Sequence, residues 1–138
     1  AVAAGFRTII YSRDKDCHQL LEDGKVTILK KYGQEGPEWF TAATLMEKFG
    51  LEPCQWLDYQ SIVGDTTDGV TGVEGIGDKG ARKILAGGLS LQGVLANPWA
   101  VDVTPKQRDA LVAFADRYEL VRELVTLRTD VPIEWRPE

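Results

Sequence analysis

The first strongly patterned stretch, Arg7–Ser12, is rich in β-branched and aromatic residues and predicts a buried strand. Asp14–Leu21 follows as a short helix that ends at the Asp23-Gly24 turn, and Val26–Lys30 predicts a second strand. Two glycines and a proline in Gly33–Pro37 predict a loop, and with it a boundary between residues 1–33 and 34–138. Beyond it the apolar period becomes that of a helix. Thr41–Phe49 sets Leu45, Met46 and Phe49 on one face and stops at Gly50. Pro53 opens a helix over Cys54–Val63, with Trp56, Leu57, Tyr59 and Ile62 apolar. A glycine-rich stretch, Gly64–Gly77, leads into a helix over Lys79–Ala86, and Ser90–Ala96 predicts another short one. Thr104-Pro105, a cap followed by proline, starts one long helix over Lys106–Val125, and Thr126–Ile133 is extended. The fold class is α/β and mostly helical. Two or three short strands leave open sheet edges, which implies that a separate chain or a missing N-terminal half covers them.

At 138 residues, 43% hydrophobic and 27% charged, the chain has the balance of one soluble globular domain, which excludes intrinsic disorder and coiled coil as its main state. No apolar run approaches the roughly 18 residues that a membrane span needs, so no membrane partner is expected. The opening Ala-Val-Ala-Ala-Gly-Phe lacks a basic flank and does not read as a signal peptide. A net charge of -5 argues against polyanion binding over the whole surface but leaves room for a local basic patch. Cys17 and Cys54 make no disulfide framework or zinc spacing and read as reduced thiols in a cytoplasmic protein. His18, the single histidine, has no nucleophile pattern around it and reads as a structural or surface residue. Chemistry in this chain therefore rests on carboxylates and metal.

Two carboxylate pairs stand at element ends. Asp14 and Asp16 follow the first strand, at the strand terminus where α/β folds bind ligands. Asp65 and Asp68 lie in Gly64-Asp65-Thr66-Thr67-Asp68-Gly69, just after the Trp56 helix. Carboxylates aimed into one cleft repel unless a cation neutralises them, and Mg²⁺ takes such oxygen ligands. Either pair alone is equally a turn or a helix cap. Glu22, Asp23 and Asp58 read as solvated surface groups. The third constellation is Gly72-Val73-Glu74-Gly75-Ile76-Gly77 followed by Asp78-Lys79-Gly80-Ala81-Arg82-Lys83. Glycines Gly72, Gly75 and Gly77 around Ile76 let backbone approach a phosphate, and a helix N-terminus follows to receive the anion. Lys79, Arg82 and Lys83, at i, i+3 and i+4, share a helix face and add charge there. This is a helix-hairpin-helix pattern spanning residues 64–86.

Taken together, these segments resemble the 5′–3′ exonucleases and flap endonucleases, which include the 5′-nuclease domain of bacterial DNA polymerase I and phage 5′-nucleases. Phe6–Leu21 is similar to their strand followed by T/S-x-D-x-D-x-x-Q-L-L. Gly64–Asp68 with Gly72–Gly77 is similar to G-D-x-S-D-N-x-P-G-V-x-G-I-G, and Lys79–Leu85 to K-x-A-x-x-L-L. Thr67, Gly69 and Thr71 depart from that pattern, where serine, asparagine and proline are usual. The resemblance implies the C-terminal part of a PIN-like 5′-nuclease fold: the end of a metal-binding core in 1–33 and a helical DNA-binding subdomain in 34–138. It implies that Asp14, Asp16, Asp65 and Asp68 hold a catalytic Mg²⁺ or Mn²⁺ of a two-metal site. It also implies that the hairpin binds duplex or branched DNA, with carbonyls near Val73 and Ile76 open to a monovalent cation such as K⁺. The family's arch and its remaining acidic residues have no counterpart in these 138 residues. Two other readings compete: a helix-hairpin-helix module that binds DNA without chemistry, and an α/β domain whose acidic cluster is structural or binds Ca²⁺.

Overall fold

The computed structural model describes residues 1–34, 36–134 and 136, and its sheet begins where the β-branched run predicts a strand. Thr8–Tyr11 (β1) lies parallel to Val26–Gly33 (β2), with Thr8 beside Val26 and Tyr11 beside Leu29. The chain then turns back, and Gly36–Phe40 (β3) pairs antiparallel with β2, Ile28 opposite Phe40. Gly33, Gly36 and Pro37, expected in a loop, are thus paired strand residues where β2 meets β3; Glu35 lies outside the described residues. Pro37 obscures the strand in sequence, yet it sits on an edge strand, where a missing N–H is tolerated. Alternation gives the sheet two unlike faces. Ile28 and Phe40 are buried, while Ile9 and Tyr11 are 61% and 70% exposed and Trp39 is exposed beside them across the Tyr11–Leu29–Trp39 row.

The expected helix over Asp14–Leu21 is a 3₁₀ helix, Lys15–Leu20, whose N-cap is Asp14. Ala42–Phe49 (α1) is capped by the Thr41 hydroxyl and closed by Gly50 in the left-handed region at φ 69°. A 3₁₀ turn, Pro53–Gln55, feeds Trp56–Val63 (α2). Gly64–Asp65 (β4) and Val70–Thr71 (β5) form a two-residue antiparallel pair, and Asp78–Leu85 (α3) and Leu91–Ala96 (α4) follow. The helix expected over Lys106–Val125 is two helices, Pro105–Phe114 (α5) and Tyr118–Val125 (α6), separated by a 3₁₀ turn at Ala115–Arg117. Arg117 of that turn donates to the Thr71 carbonyl at 2.6 Å, which ties the break to the small hairpin. At the other end, Gln19 bridges distant backbone: its amide donates to the Val125 carbonyl at 3.1 Å and accepts from Leu127 N–H at 2.9 Å.

The core gathers around α2, which packs against α3, α4 and α6. Trp56, Asp58, Tyr59, Gln60, Ser61 and Ile62 are all buried, so the helix has almost no solvent face. Asp58 is therefore not the surface group its sequence position suggests. It is 5% exposed, accepts from Leu91 N–H at 2.9 Å, and forms an ion pair with Arg122 of α6. His18 is buried too. Its ring stacks on Phe40 at 4.3 Å and meets Trp56 edge-on at 4.5 Å, and neither ring nitrogen has a hydrogen-bond partner among the described residues. Both cysteines are free thiols.

Two outcomes follow from these buried groups. Asp58→Ala removes the ion-pair partner of Arg122 and the acceptor of the Leu91 N–H, and should cost about 2–4 kcal/mol, the range for breaking a partly buried pair. Urea unfolding measures it, and a loss under about 0.5 kcal/mol, the surface range, would contradict the assignment. For His18, burial first and then the nearby Lys30 charge push the pKa from 6.5 down to about 4, against the opposing pull of Asp14. The unfolded chain therefore binds the proton more readily. The His18 contribution to stability should be constant above about pH 6.5 and be lost, by up to the order of 3 kcal/mol, as pH drops from there through about 4. NMR titration of the folded imidazole should give a midpoint near 4; one near 6.5 would place His18 in water.

Candidate metal centre and nucleic-acid interface

The two acidic segments meet because α2 links them. β4 ends α2 and carries Asp65, and Gln60 of α2 donates from its side-chain amide to Asp16 Oδ1 of the 3₁₀ helix after β1. Asp16, Asp65 and Asp68 each place a carboxylate oxygen within 4.8 Å of the others. Asp65 is buried, Asp16 half-buried and Asp68 exposed, so the group opens to solvent on one side. Of the four carboxylates expected to converge, Asp14 stands apart from this group. Its Oδ1 accepts Asp16 N–H at 2.9 Å and its own N–H donates to Ser12 Oγ at 3.0 Å. It caps the 3₁₀ helix, and its charge still reaches Asp16.

The electrostatics divide the cluster. Burial raises the Asp16 pKa, the Gln60 hydrogen bond opposes this, and the charges of Asp14 and Asp65 add to the rise. Asp65 is held low, chiefly by its bond from Lys15, whose Nζ lies 3.0 Å from Oδ2. Asp65 Oδ1 accepts Thr67 N–H at 3.0 Å. The donor set is three hard carboxylates, which suits Mg²⁺, Mn²⁺ or Ca²⁺ and not a soft ion. Gln60 and Lys15 were not among the sequence candidates. Gln60 had one signal, a polar residue amid apolar positions of a helix; Lys15 had only its place between two aspartates.

The hairpin turns its side chains inward and its backbone outward. Val73 and Ile76 are buried, Val73 N–H donates to the Ile62 carbonyl at 2.7 Å, and Ile76 N–H donates to the Val73 carbonyl at 3.2 Å. The glycines serve different ends. A Cβ on Gly72 would lie 2.1 Å from the Ile62 carbonyl oxygen, so this glycine is required by packing rather than by an approaching ligand. A Cβ on Gly75 or Gly77 would meet nothing within 4 Å, so there the backbone itself is the surface. Gly77 is the N-cap of α3 and supplies no side-chain cap, which leaves first-turn N–H groups facing outward.

The three basic residues stand on one face of α3, but Arg82 and Lys83 take different partners. Arg82 is drawn back onto Asp78, which also accepts from the Tyr59 hydroxyl at 2.7 Å, and donates to the Lys48 carbonyl at 2.9 Å. Lys83 leans the other way to Asp102, at 2.7 Å. Lys79, in the first turn, is exposed. The reason was visible in the sequence: Asp78 stands four residues before Arg82, the spacing of a helical ion pair.

Residues 51–138 match the family described as 5′-3′ exonuclease, C-terminal SAM fold. Thermostable DNA polymerase I of Thermus aquaticus is 40% identical over 131 residues, 94% of this chain and 15% of the polymerase. The 5′-3′ exonuclease of Aquifex aeolicus is 38% identical over 134 residues, 97% of this chain and 43% of that protein. T5 5′-exonuclease, solved with divalent metal ions (zinc) bound, superposes with a TM-score of 0.71 at 23% identity, covering 86% of this chain and 42% of the other. T5 flap endonuclease, in a pseudo-enzyme-product complex with DNA and metal ions, gives 0.70 at 22% identity, covering 86% and 42%. The chain thus spans less than half the length of each of these proteins, and the structural likeness speaks to fold. On the match over residues 51–138, with the sheet, buried α2 and hairpin in this arrangement, the chain belongs to the 5′-3′ exonuclease family.

Proposed function

We propose that this chain is the DNA-binding and partly catalytic C-terminal portion of a metal-dependent 5′–3′ exonuclease or flap endonuclease. The observation that carries the reading is the convergence of Asp16, Asp65 and Asp68 from separate segments beside an outward-facing hairpin backbone. Three carboxylates this close are unfavourable for a folded chain unless a cation shares them. Asp16, Asp65 and Asp68 would hold Mg²⁺ or Mn²⁺, and Asp14 would support them by fixing the 3₁₀ turn and adding negative charge. Such an ion supplies Lewis acidity toward a phosphodiester and neutralises charge that develops in its hydrolysis. Ligands for the second ion of a two-metal site, and the arch that threads a 5′ end, are expected from the part of the relatives that this chain does not span. That part would also cover the exposed sheet face at Ile9, Tyr11 and Trp39 and the open edge of β1. Functionally, residues 1–33 then close the nuclease core and 34–138 grip DNA.

In the DNA-binding role, Gly75 and Gly77 would let a phosphate reach the N–H groups that open α3, with Ile76 anchoring the turn from inside and Lys79 adding charge. Gly72 would act by allowing the hairpin to close on Gly64, and Arg82 by fixing Asp78 and α3. Lys83 would contribute at the rim. Carbonyls at Val73 and Ile76 would suit a monovalent ion such as K⁺, although the Val73 carbonyl also accepts the Ile76 N–H. Contacts of this kind are to backbone phosphates and are blind to sequence.

Duplex binding should weaken alike for all sequences in the Lys79→Ala, Lys83→Ala double variant, with the salt slope reduced by about 1 per lost contact. Fluorescence anisotropy across a salt series reads this, and unchanged affinity would remove the hairpin from the interface. The metal reading is tested on a 5′-flap duplex with Mg²⁺ or Mn²⁺. The 138-residue chain should cleave poorly alone and gain activity when a family N-terminal half is added, and Asp65→Asn should abolish that gain. Full DNA binding with no gain would favour a non-catalytic helix-hairpin-helix module instead. Robust turnover by the chain alone would mean that both ions are held within these residues.

A further inference from the structure

The reading of the acidic cluster as a metal site leaves one feature without a role, the lysine that already occupies it. We propose that Lys15 is the internal cation of the cluster: its ammonium neutralises Asp65 in the ion-free chain and must be displaced from Asp65 Oδ2 before a divalent ion can use that oxygen. The proposal rests on the metal reading and adds that Lys15 is a positioning residue that tunes metal affinity.

The geometry is specific to one oxygen. Asp65 Oδ1 is engaged by Thr67 N–H at 3.0 Å, so Oδ2 is the oxygen left to face a ligand, and this is the oxygen that Lys15 Nζ meets at 3.0 Å. Asp16 is arranged in a similar way, with Oδ1 taken by Gln60, and the Lys15 charge reaches it without a direct ion pair among the described residues. The pair is also unequal in freedom. The Asp65 side chain is 7% exposed and fixed by its turn, whereas the Lys15 side chain is 51% exposed on the first residue of a 3₁₀ helix. Lys15 can leave by rotating its own side chain into water, with no change in the backbone that Asp14 caps. A single charge at 3.0 Å leaves three clustered carboxylates under-neutralised, and a divalent ion brings twice that charge to the same oxygens. Exchange of one for the other is therefore favourable but costs the ion pair. Lys15 thus holds the cluster together when the ion is absent and sets a threshold for its entry.

The test is competitive acetylation of lysines, read by mass spectrometry, with and without saturating Mg²⁺, alongside calorimetry of Mg²⁺ binding to the same 138-residue chain. Labelling of Lys15 should rise about threefold to fivefold on Mg²⁺ binding, the scale of a half-exposed ion pair, while that of Lys79 should hold steady. In Asp65→Asn, Lys15 should label at the higher rate without Mg²⁺ and ignore its addition. Lys15→Met should bind Mg²⁺ about threefold to fivefold more tightly than the unsubstituted chain. If calorimetry shows Mg²⁺ bound and Lys15 labelling does not rise, or Lys15→Met binds no more tightly, the displacement proposal is overturned and the metal reading stands. If neither the unsubstituted chain nor Lys15→Met binds Mg²⁺, the metal reading fails and takes the proposal with it.

Discussion

Burying a polar side chain on a helix closed in on nearly all sides is costly unless it finds a partner, and the partners found by Asp58, Tyr59 and Gln60 of α2 organise the molecule. These three residues reach four partners in four different elements. Asp58 takes the Leu91 N–H and the Arg122 guanidinium, joining α4 and α6. Tyr59 donates to Asp78 and fixes the start of α3. Gln60 reaches Asp16 across the sheet side. An apolar α2 would bury as much surface but would not dictate where each neighbour sits, since apolar contact has little direction.

The site inherits its geometry from that requirement. Gln60 holds one oxygen of Asp16, and α2 runs directly into β4, so Asp16 and Asp65 are positioned from successive turns of one element. The close approach of Gly64 and Gly72 at the same end leaves no room for a Cβ at either, which pins the hairpin to the helix. The acidic cluster and the turn at Gly75–Gly77 are consequently joined through one short connection, β4 and β5.

Much of this was legible in the sequence where the chemistry is local. Thr41 and Gly50, Ser90, and the Thr104-Pro105 start all act as caps, because a cap is decided by a few neighbouring atoms. The paired aspartates were visible as pairs for the same reason. Their convergence was expected through the family resemblance, but which of the four meet was not legible, because an aspartate just before a helix can either ligate or cap, and Asp14 caps. Asp58 and Gln60 looked like ordinary polar positions on an amphipathic helix, and only the surrounding helices make them interior. The break between α5 and α6 left no mark at all. Phe114, Tyr118, Val121 and Val125 keep an unbroken helical spacing, no glycine or proline intervenes, and the turn answers to a contact with Thr71 far away in the chain. The Gly33–Pro37 segment read as a loop because of its turn residues, yet Gly33 pairs with Gly36 where β2 meets β3.

The most direct test of the account is anomalous diffraction from crystals of this chain soaked in Mn²⁺. The account predicts a peak within coordination distance of Asp16, Asp65 and Asp68, with Asp14 outside the inner ligands and still capping Asp16 N–H. A peak elsewhere, or none at these carboxylates under saturating Mn²⁺, would contradict the claim that α2 assembles a metal centre.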